Sequence, residues 1–151
     1  MIDSHKPTEF YLSGPMGGDY AAAEETFVSM VTLLRDAGIT VKSPHEINWD
    51  EQKKKGKPAA GVRFGLNQLT ASDGIILFGE WRKARGCLLE VFTAVSTGSE
   101  IREITNVDGK TLDEITTVLS SDHNSFYDNV FLNLLVTQNL IFNKRKKRWW
   151  L

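Results

Sequence analysis

The chain has 151 residues, of which 41% are hydrophobic and 25% charged, as is typical of one soluble globular domain with its own core. Its 18 basic and 19 acidic residues give a net charge of -1, which excludes the uniformly basic surface of a sequence-independent nucleic-acid binder. The one cysteine, Cys87, excludes an intramolecular disulfide, and with three scattered histidines it makes no tetrahedral zinc set.

The first third of the chain predicts a strand, a helix and a second strand. Residues 10–13 (FYLS) are β-prone and end at a glycine-rich turn, 14–18 (GPMGG). Apolar residues then recur at helical spacing over 27–34, and Gly38 is a stop signal before the next β-prone run, 39–43. Two strands joined by a helix in this way form a βαβ unit and run parallel.

The middle third repeats this alternation. Residues 62–70 have a helical pattern, and 74–78 (GIILF) are an apolar run typical of a central parallel strand. The helical period returns over 88–95 and is followed by a plausible strand over 101–105. The chain is therefore predicted to be an α/β protein with a doubly wound, flavodoxin-like parallel sheet of four or five strands.

The last third is less regular and predicts a C-terminal helical extension, 106–151, after a first domain, 1–105. Residues 112–119 suggest a weak helix, and 126–141 suggest a strongly apolar one, which is expected to pack against another subunit. We therefore expect a homo-oligomer, a dimer or higher. The basic, aromatic tail 144–151 is either a solvated terminus or a surface for a partner.

The turn after the first strand is the first candidate site. It consists of Ser13, Gly14, Pro15, Met16, Gly17 and Gly18. Unpaired N–H groups at the start of a helix favour an anion such as phosphate. Because the turn matches neither GxGxxG nor a Walker sequence, phosphate binding and a purely structural tight turn both stay open.

The second candidate site consists of Glu90 and, as a substrate-binding residue, Gly86, because the segment from Gly86 to Glu90 lies in the first turn of the helix after the third strand. The Glu90 carboxylate would either point into the crevice at the carboxyl edge of the sheet or serve only the helix dipole. Tyr11 and Trp81 would flank a planar ring there or pack in the core. His45 is a polar lining candidate, and nothing in the sequence pattern marks it as a base.

Five segments, in this order, resemble the deoxyribosyltransferase-like domains. They are 11–16 (YLSGPM), 43–47 (SPHEI), 72–73 (SD), 79–81 (GEW) and 85–90 (RGCLLE). This family includes the nucleoside 2-deoxyribosyltransferases and the deoxynucleoside 5'-monophosphate N-glycosidases. The most similar pattern is that of its small phage-associated members, and the resemblance covers about residues 9 to 105.

The resemblance implies cleavage of the N-glycosidic bond of a 2'-deoxynucleotide, by hydrolysis or by transfer. A Glu nucleophile attacks C1' of the deoxyribose, as in a retaining glycosidase. Glu90 matches this nucleophile, Tyr11 matches the tyrosine beside it, and Gly14, Gly17 and Gly18 match the phosphate or sugar loop. No cofactor and no metal is implied.

Two positions depart from the family pattern. Eight residues before Asp73, where family enzymes carry an Asp, this chain has Gly65, and Gly17 occupies the place of an arginine found in some nucleotide hydrolases. A non-catalytic nucleotide-binding or sequestering protein is therefore the alternative. If the missing carboxylate limits the rate, Gly65→Asp is expected to accelerate the reaction, provided that position 65 does not need a positive φ.

The sequence also predicts where the protein is located and what it binds. Without an 18-residue apolar run or an apolar N-terminal segment, the chain is expected to be cytoplasmic and to contact no membrane. Its expected partners are a deoxynucleotide and further copies of itself, and nucleic acid is not expected. A 5'-monophosphate is expected to bind more tightly than its nucleoside, through the N–H groups of the glycine-rich turn.

Overall fold

A computed structural model of the protein describes residues 8–16, 20–46 and 58–119. The strands are β1 (Glu9–Ser13), β2 (Thr40–Lys42), β3 (Gly74–Leu77), β4 (Glu100–Ile104) and β5 (Thr116–Val118). The helices are α1 (Tyr20–Asp36), α2 (Pro58–Thr70), α3 (Arg85–Ser96) and α4 (Leu112–Ile115). Short 3-10 turns follow β2 and β3, at Pro44–Glu46 and Trp81–Lys83.

The strands form one sheet in the order β2-β1-β3-β4-β5. The first four strands are parallel, and β5 pairs antiparallel with β4. This is the strand order of flavodoxin-like folds, so the predicted α/β class is confirmed. The sheet differs from the prediction in being mixed, because its last strand is antiparallel.

Both faces of the sheet are buried, and alternate residues of each strand point to opposite faces. On one face, residues such as Tyr11, Ile75 and Ile101 pack against α2 and α3. On the other face, Leu12 and Ile76 pack against Phe27 and Leu34 of α1, and Ile115 of α4 belongs to the same core. Burial on both faces explains why the β3 sequence is almost continuously apolar.

Glycines end α1 and α3 where the sequence predicts. Gly38 and Gly98 adopt left-handed φ values of 80° and 69°. The chain then turns back, because the N–H of Ile39 bonds to Leu34 O at 3.0 Å and that of Ser99 to Ala94 O at 2.9 Å. This arrangement is the Schellman motif, which satisfies carbonyls that the helix leaves open.

The predicted helix over 112–119 is only partly correct. It ends at Ile115, and residues 116–118 form β5 instead. The run Thr116, Thr117, Val118 is β-branched throughout, which favours an extended chain and outweighs the weak helical period. The sheet therefore extends past residue 105.

Two segments of the predicted C-terminal extension, 126–141 and 144–151, lie outside the described residues. Within the part of the chain that the structure describes, no helix is both long and apolar enough to cross a bilayer.

Candidate active site

A crevice is expected at the carboxyl ends of β1 and β3, because the direction of the connections changes there. The chain leaves β1 through α1 on one face of the sheet, whereas α2 and α3 cover the other face. Ser13 is paired with Leu77 across the two strand ends, and the N–H of Phe78 bonds to Ser13 O at 3.1 Å. Ligands of open α/β sheets bind at this kind of switch point.

Glu90 lies in the second turn of α3, which begins at Arg85, and not in the first turn as predicted. A helix dipole acts on charges within the first turn, so it gives no reason for an acid at this position. Side chains of a helix lean toward its N-terminus, and the Glu90 carboxylate accordingly reaches back to β1. The alternative in which Glu90 serves only the dipole loses its support.

Two hydroxyl groups of β1 hold the Glu90 carboxylate. Ser13 Oγ donates to Glu90 Oε1 at 3.0 Å, and the Tyr11 hydroxyl also hydrogen-bonds to this carboxylate. Tyr11 and Ser13 are two residues apart in a strand, so both point to the face that α2 and α3 cover. The strand places the two donors, and the helix places the acceptor.

Burial makes Glu90 a much weaker acid than usual. It raises the pKa of the carboxyl to about 7, against the opposing effect of the hydrogen bonds from Tyr11 and Ser13. Burial, together with the charge of Glu90, raises the pKa of Tyr11 far above its ordinary value, so the phenol keeps its proton and remains a donor. At neutral pH, Glu90 is therefore divided between its acid and its carboxylate.

Cys87 belongs to the same cluster, and its place there was not predicted from the sequence. It lies three residues before Glu90 on α3, is buried, and hydrogen-bonds to the Ser13 side chain. Burial raises the pKa of its thiol to about 12, so the thiol is protonated at neutral pH. The i, i+3 spacing to Glu90 was the signal that would have placed it on this face.

Gly65 also lies at this site, where α2 passes closest to the two side chains. A Cβ atom at position 65 would lie 2.9 Å from Tyr11 Oη and 3.1 Å from Glu90 Oε2. Its backbone has no positive φ, so the condition stated for Gly65→Asp is met. The obstacle to a side chain at position 65 is space, not backbone conformation.

Close packing explains why the glycine-rich turn begins with a glycine. A Cβ atom on Gly14 would lie 2.2 Å from the ring of Phe78, so the glycine lets this ring cover the end of β1. Pro15 lies close to Gly79, and Met16 is half-buried against the α1 side of the core. The remaining candidates, Gly17 and Gly18, lie outside the described residues.

Trp81 is buried in the same core cluster as Tyr11 and Cys87. It is 1% exposed, its indole N–H donates to Glu103 Oε1 at 2.9 Å, and the guanidinium of Arg82 lies 4.3 Å from its ring centroid. Of the two interpretations of Trp81, packing in the core is the one that fits this position.

His45 lies apart from the Glu90 cluster, and Gly86 lies one helical turn before Glu90 but has no side chain to contribute. The His45 ring packs against Phe27 on the α1 side, with a centroid separation of 4.5 Å, and burial lowers its pKa. Gly86 is exposed in the first turn of α3, and a Cβ atom there would meet nothing within 4 Å. The structure thus brings together Tyr11, Ser13 and Glu90 from the predicted set.

The fold and this cluster define a flavodoxin-like α/β domain with a half-buried carboxylate at the carboxyl edge of its sheet. The family model described as "Domain of unknown function (DUF4406)" matches residues 8–103, and the chain belongs to this family. The matched region contains every described residue of the cluster. A comparison with curated proteins returned no match.

Proposed function

We propose that the protein cleaves the N-glycosidic bond of a 2'-deoxynucleoside 5'-monophosphate, by hydrolysis or by transfer, with Glu90 as the nucleophile. The observation that carries this proposal is a half-buried carboxylate at the carboxyl edge of the sheet, held by two hydroxyl donors and by no cation among the described residues. The resemblance of the motifs to deoxyribosyltransferase-like domains supports the choice of substrate.

In the proposed reaction, the ionised Glu90 attacks C1' of the deoxyribose. The C1'–N bond breaks, its electron pair leaves with the base, and an ester forms between the sugar and Glu90. Attack on C1' by water completes hydrolysis, and attack by a nitrogen of a second base completes transfer. Either step releases the Glu90 carboxylate.

The surroundings of Glu90 suit this role. A carboxylate whose pKa is about 7 is more basic than an ordinary one, and the more basic oxygen is the better nucleophile. The developing positive charge on the sugar would give the half-buried carboxylate the opposite charge that its described neighbours do not supply. The donors Tyr11 and Ser13 orient the carboxylate in the meantime.

A second candidate function is nucleotide binding without turnover, and Gly65 is the observation that favours it. Within residues 8–16, 20–46 and 58–119, no second carboxylate contributes to the environment of Glu90. Positioned acid–base assistance is typically worth about 10²–10⁴ in rate, so its absence would leave a slow enzyme or a binder.

Release of free base separates the two candidates. The purified protein is incubated with a panel of deoxynucleosides and their 5'-monophosphates, and the free base is measured by chromatography. We expect release from at least one monophosphate, and Glu90→Gln is expected to abolish it while affinity stays within a few-fold. Binding of a monophosphate without release from any member of the panel would favour the binding protein.

A further inference from the structure

We propose that Gly65 is a positioning residue: because it has no side chain, the α2 backbone lies against the Tyr11 hydroxyl and the Glu90 carboxylate and keeps these two groups in contact. An effect of Gly65 on catalysis rests on the proposed function. The contact between Tyr11 and Glu90 is a property of the unliganded protein.

The distances around Gly65 leave no room for a side chain unless Tyr11 or Glu90 shifts. A Cβ atom would lie 2.9 Å from Tyr11 Oη, closer than real side chains come to such an atom, and 3.1 Å from Glu90 Oε2. Tyr11 is 2% exposed and packed in the core, so its ring has little room to retreat. The Glu90 carboxylate would lose its hydrogen bonds from Tyr11 and Ser13 if it moved away.

A glycine at this position has no other local explanation. It lies inside α2, away from either end, and its φ is not positive. Glycine within a helix is less stable than alanine, so the chain retains here a residue that its secondary structure disfavours. The close approach to the Tyr11–Glu90 pair accounts for it.

The same geometry reverses the expectation for Gly65→Asp. An Asp side chain begins with the Cβ atom that the site has no room for, and it brings a second negative charge beside Glu90. We therefore expect Gly65→Asp to slow base release rather than to accelerate it.

The test is a double-mutant cycle on the titration of Glu90 in the unliganded protein. The carboxyl carbons of ¹³C-labelled glutamate are followed by NMR against pH, and Glu90→Gln identifies the signal. Tyr11→Phe is expected to raise the pKa of Glu90 in the otherwise native chain, because it removes a donor to the carboxylate. In a Gly65→Ala background the contact is already disturbed, so Tyr11→Phe should raise the pKa of Glu90 by a smaller amount.

The control is Gly86→Ala, which adds the same methyl group to a helical glycine in open space. This variant should leave the titration of Glu90 and its response to Tyr11→Phe as they are in the native chain. An equal effect of Tyr11→Phe in the native, Gly65→Ala and Gly86→Ala backgrounds would overturn the positioning role.

The proposal can still be tested if Gly65→Ala does not fold. If Gly65→Ala unfolds, the double variant with Tyr11→Phe should recover a cooperative thermal transition, because it lacks the hydroxyl that the methyl meets. An unfolded double variant would contradict the proposal. Since no substrate is used, failure of the base-release assay overturns the proposed function and leaves this result untouched.

Discussion

At position 90, the fold removes an acid partly from solvent and gives it two neutral hydroxyls as its described partners. Such a group destabilises the folded state whenever it is ionised, because burial disfavours the charge. Titratable groups with strongly shifted pKa values concentrate at functional sites, where their chemistry compensates for the loss of stability. The sequence could place Glu90 at the carboxyl edge of the sheet, but its pKa depends on packing that no spacing reveals.

The first prediction concerns the stability of the protein as a function of pH. The pKa of Glu90 is about 7 in the folded protein and has an ordinary value of 4.5, so the folded state binds the proton more tightly. Its contribution to the free energy of unfolding is present below pH 4.5 and is lost as the pH rises through 7. At about 1.4 kcal/mol per pKa unit, this loss is roughly 3 kcal/mol.

Urea unfolding of the wild type and Glu90→Gln at several pH values between 4.5 and 8.5 measures this loss. The difference in unfolding free energy between the two proteins should change by roughly 3 kcal/mol in favour of the variant as the pH rises. Parallel curves for the two proteins would show that Glu90 is not buried as an uncompensated acid.

At the scale of the elements, periodicity and stop signals predicted the strands and helices up to β4. Their ends are set by local features, such as the left-handed glycines that close α1 and α3. The prediction was wrong for β5, where a weak helical period competed with three consecutive β-branched residues. It was also wrong by one turn for Glu90, because the sequence 86–90 does not show that α3 begins at Arg85.

The second prediction tests the junction between β1 and the turn that follows it. Gly14→Ala adds a methyl group 2.2 Å from the Phe78 ring, so it should lower the free energy of unfolding by roughly 1–3 kcal/mol. Chemical denaturation measures the effect, with Gly86→Ala as the control for a methyl group in open space. The loss should be smaller in a Phe78→Leu background, and an equal loss in both backgrounds would contradict the packing explanation.

For the whole molecule, a mostly parallel sheet covered on both faces brings three distant segments to one point. Tyr11 and Ser13 come from β1, Gly65 from α2, and Glu90 from α3. The sequence motifs identified these positions one by one, and the order of the strands brings them together. The approach of Gly65 to Tyr11 could not be predicted, because it depends on how closely α2 packs on the sheet.

The third prediction concerns the number of subunits. Residues 126–141 are strongly apolar on more than one face, and we expect them to pack against a second copy of the chain. Light scattering at micromolar concentration should give the mass of a dimer or a higher oligomer. A monomeric mass would mean that these residues pack on their own domain.

The central claim is that Glu90 reacts as an ionised nucleophile whose pKa its hydroxyl partners set. The pH dependence of base release in a single turnover tests it most directly, in the wild type and in Ser13→Ala. The rate should rise with pH, with a midpoint near 7, and the rising limb of Ser13→Ala should lie at higher pH, because the variant loses a donor to the carboxylate. A rate that falls over this range, or a rising limb that Ser13→Ala leaves in place, would contradict the account.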